Sequence, residues 1–155
     1  LIASLFFFFC ERETSIEQVS PAAPLKEEYL IEILMNDEFQ EGLSPAFGTV
    51  PQAIARLLGR RKSEKAIIPL FQMIGGGNFD LEEEVIHALR EIGPVAKAFC
   101  MKKAENSSGH DFERALIALQ AFVPDEEIRE CASKLLEKKL PYPPHLKEYL
   151  LSLIS

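Results

Sequence analysis

Tryptophan is absent from this 155-residue chain, and histidine and cysteine occur only three times each. Cys10, Cys100 and Cys131 show no C-x-x-C spacing, and no histidine stands at ligand spacing from them, which excludes the common local zinc motifs. Cys100 and Cys131 fall on apolar helical faces, where a free cysteine packs as a small hydrophobe, so buried thiols are expected. The glycine-rich stretch GGGN at 75–78 is not followed by Lys-Ser or Lys-Thr and is therefore no phosphate-binding loop. A nucleophile context of the G-x-S-x-G kind is also missing.

An excess of positive charge is missing too. The net charge is -7, and it is unevenly placed: Glu11 to Thr49 carry nine acids against Arg12 and Lys26, whereas fifteen acids balance fifteen bases from Val50 onward. A neutral body with an acidic N-terminal segment lacks the field that phosphate backbones require, so nucleic acid is not an expected partner.

What is present is helical periodicity. KEEYLIEILMNDEF puts Tyr29, Leu30, Ile33 and Leu34 on one face of a helix over 26–38, which should dock on the body. Helix-sized runs follow at 50–59, 63–74, 80–92, 94–105, 110–122, 125–139 and 144–154. No run alternates with the period of two that a half-buried strand needs, so the fold class expected is all-α. Asp80 and Glu83 read as a capping box. Gly93 suits a left-handed helix end, and Pro94, Pro124 and Pro144 suit helix starts. Leu146, Tyr149, Leu150 and Leu153 make the last helix a cap on an otherwise open apolar end.

These runs repeat. Aligning Gly59 with Gly93 and Val123 places Ala55, Leu89 and Leu119 in one column, Leu58, Ile92 and Phe122 in a second, and Ile54, Ala88 and Ala118 in a third. The following helices add Ala66, Ala96 and Ile128, then Leu70, Cys100 and Ala132, then Ile74, Ala104 and Leu136. A pair of helices cannot bury its apolar face alone, so such units stack and share one core. AIARLLGRRKSEKAIIPLFQMI and VIHALREIGPVAKAF resemble the short HEAT-like repeats of phycobilin lyases, in which an Ala-Leu helix ending in Leu/Ile-Gly precedes an Ala-Ile-Pro-Ala-Leu helix. The likeness covers roughly residues 50 to 140, about three units, and departs where Val123 replaces the glycine. It implies a right-handed solenoid of stacked antiparallel helix pairs over 25–155, with Pro69 kinking the second helix of the first unit.

Under that resemblance the first helix of each pair lines a concave face. The columns Thr49/Glu83/Glu113, Ala53/His87/Ile117 and Arg56/Arg90/Gln120 would then face a partner, with both arginines solvent-facing. HEAT-like di-iron hydroxylases use His-Glu dipeptides, and His87 is not part of one. LEEEV at 81–85 loads a helix N-terminus with favourable charge. RRKSEK at 60–65 reads as a solvated turn or an anion site, and PYPP at 141–144 as a stiff turn or an SH3-type ligand. The expected function is a non-catalytic scaffold that grips a protein segment, without metal or cofactor. The alternative that the resemblance allows is a lyase or chaperone for a bilin-type prosthetic group, which would need a deep pocket with a convergent acid or tyrosine.

The start of the chain stands apart. LIASLFFFFC is a predominantly apolar run too short to span a bilayer, and the polar, proline-containing segment 11–24 reads as a flexible acidic linker. An apolar run ending in Cys10 before such a linker resembles the start of a bacterial lipoprotein, in which the cysteine is acylated. Phe9 departs from that pattern, where a small residue is usual. Residues 1–10 are thus a candidate membrane tether, with a cytoplasmic location as the alternative.

Overall fold

The computed structural model describes residues 25–37, 49–138 and 140–155. The expected tether at 1–10 and linker at 11–24 lie outside the described residues. Eight α-helices and no strand occur among those described: α1 Glu27–Leu34, α2 Thr49–Arg60, α3 Ile67–Met73, α4 Phe79–Ile92, α5 Pro94–Asn106, α6 Gly109–Leu119, α7 Glu126–Glu137 and α8 Pro144–Ile154. Short 3-10 turns, Glu64–Ala66 and Gln120–Phe122, precede α3 and follow α6. The all-α expectation holds.

The proline of the first unit explains why 63–74 is not one continuous helix. Pro69 is the third residue of α3, within the first turn, where its missing N–H leaves no helical bond unmade. Ahead of it the chain tightens into the 3-10 turn capped by Ser63, whose hydroxyl accepts the Ala66 N–H at 3.2 Å.

Three terminators differ from expectation. Asn78, not Asp80, caps α4, because its side chain accepts the Leu81 N–H at 3.1 Å and the helix starts at Phe79. Glu82 turns back to accept the Gly75 N–H at 2.7 Å, so one acid of LEEEV closes the glycine loop. Pro124 lies ahead of the cap, and Asp125 begins α7 by accepting the Ile128 N–H at 3.1 Å. Gly93 ends α4 at φ 93° and ψ -140°, a region open essentially to glycine but not the left-handed helical one expected. Pro94 and Pro144 do open α5 and α8.

The repeat columns become the core. Ile54, Ala55, Leu58, Ala88, Leu89, Ile92, Ala118 and Leu119 are buried, as are Ala66, Ala96, Ile128, Leu70, Cys100, Ala132, Ile74 and Ala104. Each large member contributes about 1.5–3 kcal/mol by leaving water. Phe122 and Leu136 are exceptions, half-buried because each sits at the margin of the packed cluster. In α1, Leu30 and Leu34 are fully buried, whereas Tyr29 and Ile33 are only partly so.

Several polar contacts join different elements at similar separations. Arg56 meets Glu84, Lys97 meets Asp125, Cys131 faces Glu105, and Gln120 meets Ser152, at separations of 26 to 32 residues. Partners advance together along each pair (Arg56 with Glu84, then Gly59 against Ala88), so α2 and α4 run the same way. The same reasoning makes α5 parallel to α7 and α6 parallel to α8. The packing departs from strict pairing within units: α5 meets α6 more extensively than it meets α4.

Candidate functional site

The nine positions expected on one face fall on three helices: Thr49, Ala53 and Arg56 on α2, Glu83, His87 and Arg90 on α4, and Glu113 and Ile117 on α6, with Gln120 just after it. Their surroundings differ. Arg56 is not a free solvent-facing cation, because its Nε and Nη2 both donate to the Glu84 carboxylate, tying α2 to α4. Glu84 follows Arg56 by 28 residues, close to one repeat length, which is the signal that could have revealed the pair. Gln120 donates to the Tyr149 carbonyl at 3.3 Å and to Ser152 Oγ at 2.8 Å, and Glu113 stands 3.7 Å from His145. Helix α8 therefore occupies the α6 part of this face. Ile117 packs against the core. On α4, Glu83, His87 and Arg90 are exposed, with His87 Nδ1 3.7 Å from Glu91 in the same helix.

A second feature was not expected. An open groove of about 680 Å³ runs between α5 and α7. Pro94, Lys97, Ala98, Met101, Lys102 and Glu105 form one wall, at the three- and four-residue spacing that marks one helical stripe. Glu127, Glu130, Cys131 and Lys134 form the other. The sequence does hold a signal for it. Helix α5, PVAKAFCMKKAEN, scatters apolar side chains around its whole circumference, so it has a second face beyond the one the core consumes. Met101 is half-buried on that second side and Val95 is exposed.

The groove is held at its N-terminal end by Lys97, whose ammonium lies 2.5 Å from Glu127 and 3.1 Å from Asp125. The hydrogen bonds it donates to Glu127 and Asp125 hold the Lys97 ammonium above its ordinary pKa. The bond from Lys97 in turn holds the Asp125 carboxyl below the usual range. Along the groove, Lys102 and Lys134 stand among Glu105, Glu127 and Glu130, so both signs are present.

Reactive groups are muted. Burial pushes the Cys100 thiol up to about 12. Burial, together with the nearby Glu105 carboxylate, pushes Cys131 up to about 11. Both are free thiols, as the sequence led one to expect. Tyr142 of PYPP stacks on Phe112 at 5.4 Å and donates to the Leu135 carbonyl at 3.3 Å, so this segment is a packed turn leading into α8. Lys103 sits 5.8 Å and 6.0 Å from the centroids of Phe99 and Phe71, which meet edge to face. Among the described residues no three His, Cys, Asp or Glu side chains gather where they could hold a metal ion, and none of the helices is long and apolar enough to cross a membrane. Comparison of the chain with protein-family models, with curated proteins and with solved structures gives no match.

Proposed function

We propose that this chain is a non-catalytic binding module, a short HEAT-like solenoid that takes a polypeptide segment along the groove between α5 and α7. The observation that carries this reading is the groove's lining: two parallel helical stripes with both charge signs at the rim and Ala98, Met101 and Cys131 between them. Such a surface offers apolar contact for one or two side chains and charge partners for their neighbours, which is what segment recognition needs. A prosthetic-group lyase would need an enclosed pocket with a convergent acid or tyrosine, whereas this groove is open and no tyrosine lines it. The neutral body favours protein over nucleic acid. The similar separations of several contacts support the stacked-unit architecture, with α8 beside α6 as α4 lies beside α2.

A random twelve-residue peptide library selected on the immobilised full chain tests the proposal. The enriched peptide is expected to bind Met101→Glu at least about tenfold more weakly, because a charge would enter the apolar floor. Binding that survives Met101→Glu but falls in a Glu83/His87/Arg90 triple alanine variant would move the site to α4. Failure to enrich any peptide would overturn the reading.

A further inference from the structure

Three polar contacts join α1 and Leu25 ahead of it to one turn of the body, between α2 and α3. Arg61 Nη1 donates to the Leu25 carbonyl, Ser63 Oγ donates to the Glu27 carboxylate, and Lys65 Nζ donates to Glu28 at 2.8 Å. The basic cluster RRKSEK is thus a seat for the acidic first turn of α1. The sequence could not place it, because the two segments lie 36 to 37 residues apart and belong to no shared repeat column.

The seat has bonds of its own besides those to α1. The Lys62 N–H reaches the Gly59 carbonyl at 2.9 Å and the Ser63 N–H reaches Leu58 at 3.1 Å, closing α2 with Lys62 at φ 52°. Ser63 Oγ also caps the following 3-10 turn through Ala66. These backbone bonds and the Ser63 cap lie within the turn and the elements on either side of it. Helix α1 depends on the seat much more. Eight residues are too few for a helix to persist alone in water. It fully buries only Leu30 and Leu34.

We propose that α1 is a strap, released and reseated as a unit on a body that stays folded, with Arg61, Ser63 and Lys65 as its latch. Its release uncovers the apolar edge of α2 against which it packs, together with Ser63, the one polar residue buried among those described. That end of the helix stack is closed when the latch holds and open when it yields. Elements with few buried side chains and exposed polar contacts populate the low end of the opening free-energy range. Helix α1 meets both conditions, since Lys65 and Glu28 each keep 66% of their side-chain surface in solvent.

Hydrogen exchange read by mass spectrometry on the full chain, over a range of sub-denaturing urea, tests this. Amides of residues 29–34 are expected to exchange at least about tenfold faster than those of 85–92, with a weaker urea dependence, as local opening requires. Lys65→Glu should quicken exchange in α1 up to about fivefold and leave 85–92 unchanged, the range of an exposed ion pair. Adding Glu28→Lys should restore protection by reversing the pair. A single rate and urea slope shared by both helices would overturn the strap. No response to Lys65→Glu, or no recovery in the reversed pair, would overturn the latch.

Discussion

At Gly59 there is no room for a methyl group. A Cβ built there would stand 2.7 Å from Ala88 Cα and 2.9 Å from Ala88 Cβ, and neither atom can swing away. Relief would require α2 and α4 to separate along their most extensive contact. Overpacking costs about 1–3 kcal/mol, and the better helix propensity of alanine returns up to about 1 kcal/mol. With both atoms it meets unable to swing away, Gly59→Ala should lose up to about 3 kcal/mol, seen as a lower urea midpoint at unchanged slope. A variant as stable as the parent would mean that the two helices part without cost. The repeat alignment puts Gly59 beside Gly93, yet one is a helical contact and the other a positive-φ helix end. Residue type alone carries neither φ nor the distance to a neighbouring helix, so the column was legible and its two meanings were not. Arg56 and Arg90 share a column in the same way, and among the described residues Arg56 is held by a carboxylate of α4, whereas Arg90 is exposed.

Among the helices, α5 and α7 are joined by a contact that titrates. Asp125 does two things at once, capping α7 and accepting from Lys97, and its folded pKa lies below the ordinary 3.8. A carboxyl with a depressed folded pKa adds stability that is present above its unfolded value and is lost as pH falls through the folded one. Lys97 has the opposite sign, since its raised pKa adds stability that is full below 10.5 and is lost as pH rises through the folded value. Asp125→Asn keeps a capping side chain and removes the charge. Its urea midpoint should thus fall less than that of the parent on acidification from neutrality through the range below pH 3.8, and should start lower at pH 7. Equal acid sensitivity in the two proteins would show that the Lys97 contact contributes nothing. Helix existence and core faces at this level were readable because 3.6-residue periodicity is strong in α2, α4 and α7. The caps were misplaced by one or two residues because several side chains in NFD and VPDEE can serve, and geometry selects among them. The α5–α7 groove went unread because α5 shows no single apolar stripe to orient it.

Over the whole molecule, α8 covers apolar surface of α6 and α7. Leu146, Leu150 and Leu153 are buried, and Gln120 binds both Tyr149 and Ser152. Removing residues 141–155 should uncover the α6 and α7 faces beneath. The truncated chain is expected to melt well below the full one and to self-associate, measured by thermal unfolding and light scattering. An unchanged melting temperature would show that α8 contributes no stability. The burial of these leucines was legible from their spacing, since an amphipathic helix buries its apolar stripe. The docking of α1 was half legible: Leu30 and Leu34 announced it, and the polar seat that receives α1 did not appear in any local pattern.

The two buried thiols turn the core into a chemical clock. With a pKa of about 12, Cys100 exists as thiolate in only about one part in 10⁵ at pH 7, and an alkylating reagent finds no nucleophile while the fold is closed. Cys131, at about 11, is nearly as inert. When α5 or α7 comes away from the core, each sulfur returns toward the reactivity of an ordinary aqueous thiol. Where reclosing is fast compared with alkylation, the labelling rate at each position follows the population of its open state, in an unmodified chain and without denaturant.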